Sequence, residues 1–166
     1  YNSWFMTELL FNICNITILI VWIAILFFPR TSLSKILIDF PWIPLGISFF
    51  YIYFIIVSGG LAGADFSTLD GIVFLFKNST SESAAAGWLH YLAFDFWVAT
   101  WIIRHSQKHN IKHLFIAVPL LFTFMLGPVG ILIYSLIYFG NKNLKRANWK
   151  KYFDLNQDEV NGSQGS

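Results

Sequence analysis

Residues 88–104, Trp88-Leu-His-Tyr-Leu-Ala-Phe-Asp-Phe-Trp-Val-Ala-Thr-Trp-Ile-Ile-Arg104, form an apolar stretch that carries an imidazole and a carboxylate, those of His90 and Asp95. A carboxylate near the centre of a membrane helix costs about 2.5–3.5 kcal/mol on insertion scales. We therefore expect Asp95 to have a role that requires a carboxyl group at membrane depth. We interpret the rest of the chain as the scaffold that holds this helix and shapes a cavity beside it.

The composition of the 166 residues is that of an integral membrane protein. Hydrophobic residues make up 56% of the chain, aromatic residues 19% and charged residues only 12%, whereas soluble domains contain about 25% charged residues. The net charge of +2 is too small to indicate a nucleic-acid partner, and the single cysteine, Cys14, excludes a disulfide within the chain. A soluble enzyme fits less well, and so does an ion channel, because only one carboxylate falls within a predicted span.

Four apolar runs are long enough to cross a bilayer, which takes about 20 helical residues. They predict an all-α integral membrane protein with four transmembrane helices. The predicted spans are residues 9–28, 41–58, 84–103 and 114–139. They make up one domain, residues 1–140, followed by a basic and then polar C-terminal tail, residues 141–166, whose last residues resemble a cloning remnant.

Two of the segments need a separate interpretation. The first span, 9–28, lacks the basic start and the cleavage pattern of a signal peptide, so we expect it to be retained. Before the third span, apolar residues recur with helical spacing from Leu69 to Phe76. This pattern predicts a short amphipathic or re-entrant helix, and Ser67 with Asp70 resembles its capping box.

The fourth span carries several helix breakers, Pro119, Gly127-Pro128 and Gly130. They predict a kink or a local unwinding, which is tolerated where the backbone packs on protein or lines a cavity. With four spans, both termini lie on one side of the membrane. The basic residues number six on that side and five on the other, and the cluster in the tail favours cytoplasmic termini. Residue usage rich in Ile, Lys and Asn indicates a bacterial inner membrane.

Helical spacing divides the side chains of residues 88–104 between two faces. One face carries Trp88, Tyr91 and Asp95, and the other carries His90, Phe94 and Trp97. His90 and Asp95 point about 140° apart on an ideal helix, so each needs partners elsewhere. The candidate partners are Tyr91, Asn12, Asn15 and Tyr134 for Asp95, and Asp65 or Asp70 for His90. A buried carboxyl group can stay protonated near neutral pH, which suits a general acid. A hydrogen-bonding role that fixes the helix bundle is the alternative.

Three histidines, His105, His109 and His113, recur at every fourth position. On a helix they would form a row that could bind a divalent metal. Asn110 and the polar residues around it predict a loop instead. We therefore assign no metal site and interpret residues 104–112 as a basic loop that faces lipid headgroups.

Three longer stretches carry a family resemblance. They are Gly63-Ala-Asp-Phe-Ser-Thr-Leu-Asp-Gly71, Trp88-Leu-His-Tyr-Leu-Ala-Phe-Asp95 with Trp101-Ile102, and Thr123-Phe-Met-Leu-Gly-Pro-Val-Gly-Ile-Leu-Ile-Tyr134. In combination they resemble the abscisic-acid-deficient-four-like family of membrane proteins, whose plant members are needed to convert violaxanthin to neoxanthin. The resemblance implies four transmembrane helices and a link to carotenoids or related isoprenoids. A bacterial member would not normally make neoxanthin, so the plant substrate is not carried over.

The resulting hypothesis is a membrane-embedded, isomerase-type acid–base enzyme that acts on a carotenoid or related polyene lipid without a cofactor. Its predicted catalytic residues are His90 and Asp95. The predicted substrate-binding residues are Asp65, Asp70, Trp88, Tyr91, Phe94, Trp97, Trp101 and Tyr134. The alternative is a non-catalytic carotenoid or lipid carrier, or an assembly factor for a partner membrane enzyme. We expect the bilayer and an isoprenoid ligand as partners, with a partner enzyme or a second copy of the chain as further candidates.

Overall fold

The computed structural model describes residues 2–59 and 64–163, and within them every regular element is an α-helix. The helices are α1 Asn2–Phe27, α2 Ser32–Asp39, α3 Trp42–Val57, α4 Leu69–Lys77, α5 Ser81–Lys108, α6 His113–Leu126 and α7 Pro128–Ser163. The prediction of an all-α chain is confirmed for these residues, and so is the short amphipathic helix, α4, before the third predicted span.

By length and composition, one helix among the described residues could cross a bilayer by itself. It is the segment Trp4–Phe27 of α1, with a mean hydropathy of 2.5. Helices α2 and α3 meet the same requirement only when they are counted as one span, bent by 60° between them. Helix α6 is apolar but short. The predicted set of four spans is therefore not confirmed.

Helix α5 is the centre of the bundle, and α1 runs parallel to it. Near the start of both helices, the Thr7 hydroxyl donates a 3.2 Å hydrogen bond to Glu82 Oε1. Farther along, the Trp22 ring packs edge-on against Phe96 with ring centroids 5.8 Å apart. Because both contacts join residues at similar depths, the two helices lie side by side over most of the length of α1.

Helix α3 packs along α5 in the opposite direction. Its Tyr51 ring lies 5.8 Å from the ring of His90, while Arg104 Nη1 donates to the Asp39 carbonyl just before α3 begins, at 3.5 Å. The core between these helices contains fully buried side chains from both, among them Phe54 and Phe96.

The predicted loop between the first two spans, residues 29–39, is largely helical, and this part of the prediction is wrong. Thr31 caps α2 by accepting a hydrogen bond from the Ser34 backbone N–H at 3.3 Å. The Ser34 hydroxyl is buried and donates to the Phe28 carbonyl at 2.7 Å. These bonds pair backbone groups that would otherwise lack partners at the end of α1 and at the start of α2. A helix can therefore begin within this polar stretch.

The predicted single span 114–139 is also wrong, because the chain reverses direction at Gly127. Gly130 of α7 lies directly against Pro119 and Thr123 of α6. Farther from the turn, Lys145 Nζ donates to the carbonyl of His109 at the end of α5, at 3.0 Å. Helix α6 therefore runs from the end of α5 back toward its middle, and α7 returns. We call this pair the α6–α7 hairpin.

Other predicted boundaries also move. Helix α5 extends to Lys108, so most of the predicted loop 104–112 is helical, and α7 continues to Ser163 through most of the predicted tail. At α4 the N-cap is Thr68, whose hydroxyl accepts from the Gly71 N–H at 3.1 Å. The predicted capping box of Ser67 and Asp70 is therefore wrong by one residue.

Candidate functional site

A cleft of about 510 Å³ opens between α1, α5 and α6, beside the turn of the α6–α7 hairpin. Its volume lies in the range of small-molecule sites, about 300–1,000 Å³. The lining residues are mostly apolar. They are Asn15, Ile18, Leu19, Trp88, Tyr91, Leu92, Asp95, Phe124 and Met125. We call this the Asp95 cleft.

The face of α5 that helical spacing predicted is the one that lines this cleft. Trp88, Tyr91 and Asp95 come together there, which confirms their grouping. Trp88 Nε1 donates a 3.0 Å hydrogen bond to Asn15 Oδ1 and so ties α1 to α5 at one end of the cleft. Asn15, a predicted partner, is thus part of the site, whereas Asn12 is exposed.

The carboxyl group of Asp95 lies against the turn of the hairpin. Its Oδ1 is 2.5 Å from the position that a Cβ would take on Gly127, and Gly127 has a φ of 30°, a conformation that side chains disfavour. The backbone conformation therefore favours glycine at this position, and a side chain there would also have to displace the Asp95 carboxyl group. Helix α7 begins at the next residue, Pro128, and the positive end of its dipole favours a negative charge nearby.

His90 lies on the other face of α5, as the spacing predicted, and does not line the Asp95 cleft. Its ring is 4.7 Å from that of Phe94, and Phe94 stacks on Trp97 with centroids 6.1 Å apart. These three exposed rings form an aromatic row beside α3. The structure therefore separates the two predicted catalytic side chains and places Phe94 and Trp97 with His90.

The predicted acidic partners of His90 are engaged elsewhere. Asp65 accepts hydrogen bonds from the Ser67 hydroxyl at 2.6 Å and the Thr68 hydroxyl at 2.7 Å. These bonds, with the backbone N–H of Ser67, lower the pKa of Asp65 to about 2. Asp70 is exposed in the first turn of α4. Asp65 thus organises the start of α4, and neither carboxylate lines the Asp95 cleft.

Tyr134 and Trp101 belong to a second cluster, where α7 packs on the end of α5. The buried Tyr134 hydroxyl is 2.6 Å from His105 Nδ1, and Trp101 stacks on His105 at 5.0 Å. When Nδ1 of His105 is unprotonated, it can accept the proton of the Tyr134 hydroxyl in this hydrogen bond.

The three spaced histidines do not share one site. The rings of His105 and His109 are 4.4 Å apart, but His113 Nε2 lies 2.9 Å from the carbonyl of Leu26 on α1. Among the described residues, no group of three His, Cys, Asp or Glu side chains is placed to hold a metal ion.

A second cavity, of about 880 Å³, lies on the same α1–α6 surface farther from Asp95 and shares no lining residue with the Asp95 cleft. It lies between the last turn of α1 with the loop after it, residues 26–31, and α6 residues 113–121. Because α1 and α6 run antiparallel, this cavity and the Asp95 cleft follow one another along the two helices. We call them together the α1–α6 groove. Sequence reasoning missed it, since α1 and α6 are so uniformly apolar that no periodicity marks one face.

The described residues thus form an all-helical fold with one helix that could cross a membrane and with the Asp95 carboxyl group beside the turn of the hairpin. The chain matches the model of the ABA DEFICIENT 4-like family over residues 9–134. It therefore belongs to this family, as the three stretches predicted. The family is membrane-associated and implies a role in carotenoid (neoxanthin) metabolism. No curated protein and no solved structure matches the chain significantly.

Proposed function

We propose that this protein is a membrane-embedded isomerase whose Asp95 cleft binds the oxygenated end group of a carotenoid or related isoprenoid. The observation that carries the proposal is the position of Asp95. Its carboxyl group stands at the inner end of an apolar groove and against the start of α7. Family membership supports a carotenoid-type substrate.

The shape of the α1–α6 groove supports a long apolar ligand. The groove follows α1 from Asn15 to about Phe28, which corresponds to about 20 Å at 1.5 Å per residue. An end ring would occupy the Asp95 cleft, and the polyene chain would lie along the groove toward His113. The exposed side chains of Leu121 and Met125 leave the groove open sideways, so that a ligand could enter from the hydrocarbon phase.

The proposed chemistry needs one proton and no redox partner. The neutral Asp95 carboxyl group donates its proton to an epoxide oxygen of the end ring as the C–O bond breaks. The resulting carboxylate, beside the positive end of α7, removes a proton from a neighbouring carbon, and the electrons of that C–H bond form the new double bond. Asp95 is then protonated again, and the product is an isomer of the substrate.

This proposal revises the roles of the predicted residues. Tyr91 lines the cleft, so its hydroxyl is the candidate for orienting the substrate oxygen. His90, Phe94 and Trp97 form a row on the opposite face and have no assigned contact with a ligand in the cleft. The other predicted residues have only a structural role in this proposal and do not contact the ligand. They are Asp65, Asp70, Trp101 and Tyr134.

One observation favours a second candidate, a carotenoid carrier without turnover. The residues that line the Asp95 cleft include no His, Lys or Arg, so Asp95 would have to serve as both acid and base. In a carrier, Asp95 would only hold a hydroxyl or epoxide oxygen by a hydrogen bond. Binding would then be the whole function, with a partner enzyme supplying the chemistry.

For the membrane arrangement, we propose three spans, namely α1, the bent pair α2–α3 counted as one span, and α5, with the α6–α7 hairpin as a re-entrant element. Helix α5 has 28 residues, or about 42 Å, which exceeds the hydrocarbon thickness of about 30 Å. The hairpin enters beside the end of α5 and turns at the depth of Asp95. In this arrangement the two ends of the chain lie on opposite sides of the membrane, unlike the four-span prediction.

The test is conversion of epoxy-carotenoids by the purified full chain in liposomes, followed by chromatography and mass analysis. Loss of general acid–base catalysis typically costs about 10²–10⁴-fold in rate, and we expect such a loss for Asp95→Asn. The matched control is His90→Ala, on the same helix but facing α3. Equal rates for wild type and Asp95→Asn would refute catalysis by Asp95. Stoichiometric binding by wild type without any product would favour the carrier.

A further inference from the structure

The charged residues divide between the two ends of the helix bundle. Of the nine Lys and Arg side chains that the structure describes, eight lie at the end where α1 and α5 finish. They are Arg30, Lys35, Arg104, Lys108, Lys112, Lys142, Lys145 and Arg146. The ninth, Lys77, ends α4 at the opposite end. We call the first set the basic end.

Acidic side chains show the reverse distribution. Near the opposite end lie Glu8, Asp65, Asp70 and Glu82, whereas the basic end has only Asp39 among the described acidic side chains. Four spans would have divided the same nine cations almost evenly, four on one side of the membrane and five on the other. The hairpin removes this balance, because it returns the start of the tail to the end where α5 finishes.

Two neighbouring depressions at the basic end flank Asn141 of α7. One is lined by His109, Tyr138, Asn141, Lys142 and Lys145. Lys145 Nζ donates one hydrogen bond, to the His109 carbonyl, which leaves two of its three donors for another acceptor. Both lysines are exposed. This depression therefore offers two cations to an anionic group.

The other depression, of about 430 Å³, is mostly apolar, although Asn110 and Lys112 also line it. It lies where the start of α6 faces α7, between the side chains of Ile111 and Phe115 on one side and Ile137 and Leu144 on the other. Asn141 borders both depressions. An apolar groove thus continues directly into a cationic one.

We propose that these two depressions form one binding site for an anionic phospholipid of the surrounding leaflet. The phosphate would lie between Lys142 and Lys145, and an acyl chain would lie between Phe115 and Ile137. The apolar and charged parts of the site follow one another as they do in a lipid. Ile137 lies nearer the buried turn at Gly127, and the two lysines lie farther along α7. Basic residues at a membrane surface attract anionic lipids and lie preferentially on the cytoplasmic side, so this leaflet is the cytoplasmic one.

The test is lipid protection of the purified, delipidated full chain. Thermal midpoints are compared after adding phosphatidylglycerol, phosphatidylcholine or glycerol phosphate at equal concentration. We expect phosphatidylglycerol to stabilise most. Each lysine near an anionic surface contributes about fivefold in affinity, so Lys142→Gln/Lys145→Gln should weaken phosphatidylglycerol binding about 25-fold, while the control Lys77→Gln should leave it unchanged.

Three results would overturn the proposal. Equal protection by the two phospholipids would remove the role of charge, and equal protection by glycerol phosphate would remove the role of the acyl groove. Binding by the double variant as tight as that of Lys77→Gln would remove the role of the lysines. If the double variant fails to fold, the preference of the wild type for phosphatidylglycerol, and its weakening by salt, decides the question.

Discussion

The contact of Gly130 with α6 provides a quantitative test of the α6–α7 hairpin. A Cβ at residue 130 would overlap Thr123 Oγ1, and it would lie 2.5 Å from the Thr123 backbone nitrogen and 2.6 Å from the Pro119 carbonyl oxygen. Since ordinary contacts begin at 3.4 Å, the two helices would have to separate by about 0.9 Å. Overpacking of this kind costs about 1–3 kcal/mol. In a chain of this size, each kcal/mol corresponds to about 2–4 °C in thermal midpoint.

We therefore expect Gly130→Ala to lower the thermal midpoint in detergent by about 2–12 °C. The matched control is Gly140→Ala on the same helix, where a Cβ meets nothing within 4 Å and Ala is better than Gly by about 0.5–1 kcal/mol. Adding Thr123→Ala to Gly130→Ala should recover only part of the loss, because two of the three contacts involve backbone atoms. If α6 and α7 formed one straight span, Gly130→Ala would raise the midpoint as Gly140→Ala does, and that result would refute the hairpin.

Two further predictions rest on the helix ends and on the direction of the helices. Thr80 caps α5 through a 3.2 Å hydrogen bond, so Thr80→Ala should cost about 1 kcal/mol in the free energy of unfolding, and no change would exclude the cap. In a Cys14→Ala background, cysteines at Ser79 and Asn143 should react with an impermeant maleimide from opposite sides of the membrane, and labelling from one side would restore four spans.

The residues of the Asp95 cleft show how far sequence reasoning extends. The grouping of Trp88, Tyr91 and Asp95 was predictable, because helical periodicity is a local property of the chain. Asn15 was named only as one of several partners, since its pairing with Trp88 depends on the parallel packing of α1 and α5. The opposite wall of the groove was not predictable, because in a uniformly apolar helix every face has the same hydrophobicity.

The α6–α7 hairpin shows more clearly which features depend on tertiary contacts and could not be predicted from the sequence. Pro119, Gly127 and Gly130 predicted that the fourth apolar run is interrupted, because proline and glycine disturb a helix wherever they occur. Whether the interruption is a kink or a reversal depends on the fit of Gly130 against Pro119, which is a tertiary contact. Helix α2 was missed for a related reason: its capping by Thr31 and Ser34 involves the last turn of α1.

Binding of an isoprenoid end group in the Asp95 cleft can be measured by the visible absorbance of protein loaded with a carotenoid. Leu19→Trp would fill the cleft from α1, whereas Ile56→Trp, at a 70% exposed position of α3 outside the cleft, is the matched control. We expect wild type and the Ile56→Trp variant to retain pigment at a fixed stoichiometry and the Leu19→Trp variant to lose it. Equal pigment in all three proteins would show that the end group does not bind in the Asp95 cleft.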